Sequence, residues 1–394
     1  MRGTILIGAL ITLLPTFSYA TEAKTQFPKL LQNAYFGLQL GSVGYPFTNQ
    51  KLIPGYQALE IKIPHAAVRA ILGHQFNRYL AAQISLMRPF YWVRYNDLNG
   101  DKKSHSVWIS LFGITLKPSA PITKRLSIYG EGGVGIVSRH GITIGNTSVL
   151  PDAHYITAML GAGLQYRISR HWSANAGLIY SPGSHHYRQP HTLFLGAGIQ
   201  YLLSPLSPRT VENNALSGYF FPDRLIQVGY STDKVGFGAN NLFGKKLHVF
   251  WAGAVRVKQG FTASYQKNIF HTAKYFSLGW GASYSYWTSS LKNESFSAVS
   301  IFPIFRFWLL RTKIMDFYFD YSLAGPAYLT QKNLDTINTG KNFTFQDYMG
   351  IGAFLGKSRR FNIEVRIIHY SNGNLFSQNP GIAVPLVFNL GYAF

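Results

Sequence analysis

Strict two-residue alternation over stretches of membrane-spanning length is the feature that most restricts what this chain can become. From Phe276 to Tyr286 the even positions are Phe276, Leu278, Trp280, Ala282, Tyr284 and Tyr286, and the odd ones are Ser277, Gly279, Gly281, Ser283 and Ser285. Side chains of a strand point alternately to its two faces, so one face here is apolar and aromatic and the other small and polar. A tilted strand crosses a bilayer in about 9–11 residues, which this run supplies. Met315, Phe317, Phe319 and Tyr321 alternate in the same way with Asp316, Tyr318, Asp320 and Ser322, and the pattern returns at Leu126 to Val137, Ala158 to Ile168 and Leu193 to Tyr201. A soluble sandwich would also alternate, but the small face of Gly, Ser and Ala favours a narrow barrel lumen. With 29 Phe, 25 Tyr, 38 Gly and only 13% charged residues, the composition suits aromatic girdles around a lipid-facing band.

Residues 1–20 carry Arg2, an apolar run from Ile5 to Leu14 and the small-x-small site Ser18-Tyr19-Ala20, which together predict a signal peptide. No later uncharged stretch reaches the roughly 20 residues of a spanning helix. The absence of cysteine forbids disulfides and is compatible with the periplasm or outer membrane. Thirty-seven basic against 15 acidic residues give a formal net charge of +22, so the expected partners are anionic. The export signal and the apolar strands favour phosphorylated lipid of the outer leaflet over nucleic acid.

Roughly eight strand candidates fall on each side of Leu203 to Leu216, punctuated by turn signals such as Asn99-Gly100 and Ser181-Pro182-Gly183. Between them Ser204-Pro205-Leu206-Ser207-Pro208-Arg209 is expected to be a linker. The expected fold is all-β: transmembrane antiparallel β-barrels, two of eight strands in tandem. The boundaries are 21–33 for an N-terminal linker, 34–204 for the first barrel, 205–217 for the connection and 218–394 for the second barrel. A single barrel of about sixteen strands is the alternative. The pair is preferred because each half ends in an alternating strand, and an even-stranded barrel returns its chain to the periplasm. The first half resembles the small OmpA-like outer-membrane barrels. The ending Phe388-Asn389-Leu390-Gly391-Tyr392-Ala393-Phe394 resembles the aromatic-terminated assembly signal of outer-membrane barrels, so the cell outer membrane is the expected location.

The penultimate strand holds the candidate residues for chemistry. Phe361, Ile363, Val365 and Ile367 share a parity that continues to His369 and Ser371, whereas Glu364 and Arg366 have the other. The apolar set should face lipid and the charged pair the lumen, leaving His369 and Ser371 on the outer surface with Cα atoms about 6.6 Å apart. A histidine facing lipid is costly and therefore suggests function. If the chain enters from the periplasm, odd strands run outward and the end of the seventh lies at the outer-leaflet interface. An imidazole beside a hydroxyl can make serine nucleophilic, acting first as base and then as acid.

The segment Ile368-His369-Tyr370-Ser371-Asn372-Gly373-Asn374, followed by Asn379-Pro380-Gly381-Ile382, resembles the closing motif of the PagL-type lipid A 3-O-deacylases. That resemblance implies an eight-stranded barrel whose outer face cleaves the ester-linked 3-acyl chain of lipid A in lipopolysaccharide. His369 would be the base and Ser371 the nucleophile, with Asn372 and the amides near Gly373 as an oxyanion site. Hydrolysis of this kind requires no cofactor or metal. The family's glutamate lies at the start of the last strand, where this chain has Ile382-Ala383-Val384, and neither Asp nor Glu follows Glu364. With Glu364 assigned to the lumen, an amide (Asn374, Gln378 or Asn379) is left to orient the imidazole. The alternative expectation is a catalytically inactive structural, adhesive or pore-forming barrel.

Other clusters have plainer readings. His185, His186 and His191 flank a Pro/Gly turn without a defined ligand spacing and are loop histidines. Asp97, Asn99 and Asp101 lack the helices and closing glutamate of a calcium loop and form a hairpin tip. Gly161-x-Gly163 and Gly196-x-Gly198 lie within alternating strands and are lumen positions, not phosphate loops. Leu323 to Lys341 is expected to be a long outer loop that offers Lys332 and Lys341 to solvent or lipid phosphate.

Overall fold

The computed structural model describes residues 24–246 and 253–394. The signal-peptide assignment at 1–20 lies outside the described residues. Among the described residues no helix is long and apolar enough to cross a membrane. The chain instead forms two closed antiparallel barrels of eight strands each.

The strands of the first barrel are β1 Ala34–Gly44, β2 Ala66–Asn77, β3 Leu80–Pro89, β4 Ser104–Pro121, β5 Leu126–His140, β6 Ala153–Arg167, β7 Trp172–Ser181 and β8 Thr192–Leu202. Each pairs with its sequence neighbours, and β1 closes onto β8 from Tyr35↔Leu202 to Gly44↔Leu193. Two shorter strands, Ala58–Lys62 and Val93–Leu98, extend the sheet beyond the rim. The Asn99-Gly100 turn follows the second, both residues in the left-handed region that this dipeptide favours. The second barrel comprises β9 Arg224–Thr232, β10 Val255–His271, β11 Phe276–Ser289, β12 Ser295–Arg311, β13 Met315–Leu329, β14 Phe343–Leu355, β15 Phe361–Ser371 and β16 Ile382–Ala393. It closes through β9 and β16, from Leu225↔Ala393 to Ser231↔Val387.

Alternation sorts the side chains as expected. On β11, Trp280, Tyr284 and Tyr286 are exposed on the outer face while Ser277, Ser283 and Ser285 are buried. The two glycine pairs are packed lumen positions: a Cβ on Gly163 would lie 2.5 Å from the Tyr129 hydroxyl. Two features differ from the expectations. The connection contains a helix, α1 Pro208–Ala215, because the Ser207 hydroxyl accepts the Thr210 N–H at 3.2 Å and Pro208 occupies its first turn. The outer loop expected from Leu323 begins later, since β13 runs on to Leu329 through a bulge between Ser322 and Gly325. The bulge breaks the two-residue period at Ala324, which adopts φ +54°.

Both lumens are plugged by ion pairs. In the first barrel Arg69 bonds Glu131, which also accepts from Thr115 at 2.9 Å. In the second, Arg306 forms a two-pronged pair with Asp320, both arms 2.8 Å long, and Arg366 Nε donates to Glu364 at 2.6 Å. Gln227 and Tyr318 also donate to Glu364, at 2.8 and 2.9 Å, and Gln266 links Gln227 to Arg306. Buried charges persist when paired and hydrogen-bonded, and here each of these guanidinium groups meets a carboxylate. Arg366→Met leaves the Glu364 carboxylate without its cation and should cost about 3–5 kcal/mol. Urea unfolding in micelles measures the loss, with Lys341→Met in the outer loop as a control expected to stay within about 0.5 kcal/mol of the parent.

Candidate active site

On the outer face of the second barrel, polar side chains interrupt the apolar band at the outer ends of β14 and β15. On β15, Phe361, Ile363 and Val365 are exposed, and the same face then continues through buried Ile367 and His369 to half-buried Ser371. The structure therefore brings His369 and Ser371 to one face at the strand end, as their parity requires, and puts Glu364 and Arg366 inside.

Two features lower the exposure of this face. The register of β15 against β16 jumps between Arg366↔Val387 and Ile368↔Val384, so that Pro385 and Leu386 both oppose Ile367. Proline has no N–H for the ladder, and a bulge accommodates it. The short helix α2, Gly238–Asn241, then crosses the outside of the barrel. Asn240 donates to the Val384 carbonyl at 2.9 Å, and Ala239 and Phe243 pack with Met349 and Ile367. Beside this cover, Val255 and Arg256 pair in parallel with Ile382 and Ala383, so the start of β16 lies between β15 and β10.

His369 is 2% exposed and has two register partners, Ala383 on β16 and Asp347 on β14. Its Nδ1 lies 3.7 Å from Asp347 Oδ2. The other oxygen of Asp347 accepts the Ala324 N–H at 2.6 Å, a donor presented by the β13 bulge. On the opposite edge of the ring, a Cβ on Gly381 would fall 2.8 Å from Nε2, and Gly381 adopts φ +72°. Glycine thus keeps room beside Nε2 where any other residue would crowd it.

The asparagines hold the turn after Ser371. The Asn372 N–H donates to Asn379 Oδ1 at 2.8 Å and its side-chain amide to the Gln378 carbonyl at 2.9 Å. Asn374 N–H donates to Asn372 Oδ1 at 2.9 Å, and Asn379 Nδ2 to Asn374 Oδ1 at 3.0 Å. Gly373 and Asn374 are both left-handed, at φ +62° and +63°. Asn374 also reaches the first barrel, donating to Ser110 Oγ at 3.2 Å. These bonds commit the Asn372 N–H to loop closure, while Gly373 lies at the bend directly after it.

Asp347 escaped the sequence argument, although its signal was of the same kind as that of His369. Phe343, Phe345, Asp347, Met349 and Ile351 share one parity on β14, and an acid in that outward set is as costly as a histidine. No group of three or more His, Cys, Asp or Glu suited to a metal occurs among the described residues, His185, His186 and His191 included. Lys332 and Lys341 are exposed.

Two plugged barrels with apolar outer faces define an outer-membrane β-barrel protein. The family model of the lipid A 3-O-deacylases (PagL) matches residues 259–393, and that of the OmpA-like transmembrane domain matches residues 31–181. The second barrel therefore resembles the deacylase family and the first the small OmpA-like barrels. Among solved structures, the outer membrane enzyme PagL shares 18% identity, covering 43% of this chain and 99% of its own, with a TM-score of 0.31. The N-terminal barrel domain of Pseudomonas aeruginosa OprF shares 15% over 43% and 97%, with a TM-score of 0.29. Ail of Yersinia pestis, in complex with sucrose octasulfate, shares 18% over 43% and 95%, with a TM-score of 0.28. No curated protein matches the chain.

Asn379→Ala removes both bonds that its side chain makes to the turn. Each is worth about 1 kcal/mol, so amide exchange across 372–379 should accelerate roughly ten-fold or more while the barrel's urea midpoint stays in place.

Proposed function

We propose that the second barrel hydrolyses the ester-linked 3-O-acyl chain of lipid A in the outer leaflet. The observation that carries this reading is the outward, outer-end position of His369 and Ser371 within the deacylase-like motif. The substrate is an amphiphile whose acyl esters lie near the headgroup boundary, so a nucleophile on the outside wall meets it without extracting it from the membrane. The buried ion pairs make the lumens poor routes for a lipid.

His369 Nε2 takes the proton of Ser371 as Oγ attacks the acyl carbonyl. The tetrahedral intermediate collapses with transfer of that proton to the departing glucosamine 3-oxygen, leaving an acyl-serine. Water, deprotonated by the same nitrogen, releases the fatty acid and restores the serine. Amides at the bend after Ser371, with Gly373 foremost, supply the oxyanion donors. The chemistry uses the protein's own side chains. The basic excess of the chain favours capture of a phosphorylated, anionic lipid. A non-catalytic surface role is the competing reading, favoured by Ile382-Ala383-Val384 where the resemblance implies glutamate.

Mass spectrometry of lipid A from Gram-negative cells expressing the chain separates the two. The native protein should remove one 3-linked acyl chain, and Ser371→Ala and His369→Asn should each abolish that change while folding normally in the outer membrane. Unchanged lipid A with abundant folded native protein would instead support the non-catalytic role.

A further inference from the structure

We infer that Asp347 is the acid that positions His369, entering from β14 on the opposite side of the imidazole from the strand that carries the acid in the family's pattern. The inference rests on the deacylase reading above and adds a residue to it.

A residue inside an antiparallel ladder has one register partner on each neighbouring strand. For His369 these are Ala383 and Asp347. Cβ atoms of directly opposed residues lie about 4.5–5.5 Å apart, so an acid on either side can reach the ring. In this chain the β16 partner is an alanine that cannot hydrogen-bond, and the β14 partner is a carboxylate. Asp347 is not placed as a solvated surface acid would be: it is 9% exposed and shares the outward parity of Met349 and Ile351. A charge on that face costs free energy unless it has partners.

The two oxygens divide their work. Oδ1 accepts the Ala324 N–H at 2.6 Å, which fixes the plane of the carboxylate, and Oδ2 faces His369 Nδ1 at 3.7 Å. That spacing is a contact that becomes a hydrogen bond on closing by at least about 0.5 Å, and catalytic contacts are often long before substrate fills a site and tighten when it does. A carboxylate on Nδ1 selects the tautomer protonated there and leaves Nε2 as the basic nitrogen. Nε2 is also the atom beside which Gly381 keeps space. The β13 bulge, the Ala324 backbone conformation and the glycine thus serve one orientation of one ring. The acid acts through the histidine and stays clear of the acyl ester.

Three variants test this. Asp347→Asn preserves size and should lower the rate of lipid A deacylation, and of Ser371 labelling by a fluorophosphonate, by about 10²–10⁴-fold. Asp347→Glu should retain much of both. Asp347→Asn combined with Ala383→Glu returns an acid from β16 and should recover at least ten-fold over Asp347→Asn alone. Folding of each is checked by the heat-dependent band shift of intact barrels. Ring 15N spectra of His369 should show the Nδ1-protonated tautomer in the native protein and a mixture in Asp347→Asn. Native-like labelling and deacylation in Asp347→Asn would overturn the inference. If the native protein leaves lipid A intact and resists the probe, the deacylase reading fails. The ring spectra then decide the Asp347 assignment alone, and identical spectra in native protein and Asp347→Asn would reject it.

Discussion

Closure of the hydrogen-bonded ladder governs everything else in this molecule. In lipid a backbone N–H or C=O without a partner costs several kcal/mol, and water is not there to supply one. The chain meets that demand twice, through β1 with β8 and through β9 with β16. Closure fixes which side chains face in and which face out. In barrels this narrow the inward set must fill the lumen, and in the second barrel it does so with Arg306, Asp320, Glu364, Arg366 and their amide and phenol partners. A lumen so occupied leaves the outer wall as the surface that meets lipid.

An outer wall is a poor place for a polar side chain unless the ladder is locally relaxed. Here relaxation occurs beside the site on two strands. The β13 bulge turns the Ala324 N–H toward Asp347, and the irregularity at Pro385 leaves the Val384 carbonyl for Asn240. Each carries a backbone group from ladder duty to duty at the site, while α2 covers the apolar approach at Met349 and Ile367. Bulges are expected near rims and active sites for this reason.

Most of the architecture was legible because period two is a local property. Trp280 and Ser283 declare opposite faces whatever their distant neighbours, and the same count separates Glu364 and Arg366 from the parity of His369 and Ser371. Local patterning failed where a single residue changes phase. Ala324-Gly325-Pro326 marks a stop in the alternation, but a bulge absorbs it and β13 extends further than its pattern. In the connection, the two prolines suggested an irregular linker, although Ser207-Pro208 is also a strong helix start. The asparagines after Ser371 invited catalytic roles because they cluster there, but their hydrogen bonds run mainly to one another.

The case of Asp347 shows why a motif locates a site better than it completes one. A linear motif records residues adjacent in the chain, so His369 and Ser371, two apart on one strand, are seen together. The acid joins them through register, and register lets it come from before or after the pair. In the order implied by the resemblance the acid follows the serine; here a carboxylate precedes the histidine by a full hairpin and meets the same ring from the other side. What the chemistry requires is a carboxylate at Nδ1 with Nε2 free to face the nucleophile, and an antiparallel ladder offers two equivalent strands from which to provide it. An empty acid position in a barrel motif therefore directs attention to the residue across the other side of the histidine before it argues for an inactive scaffold.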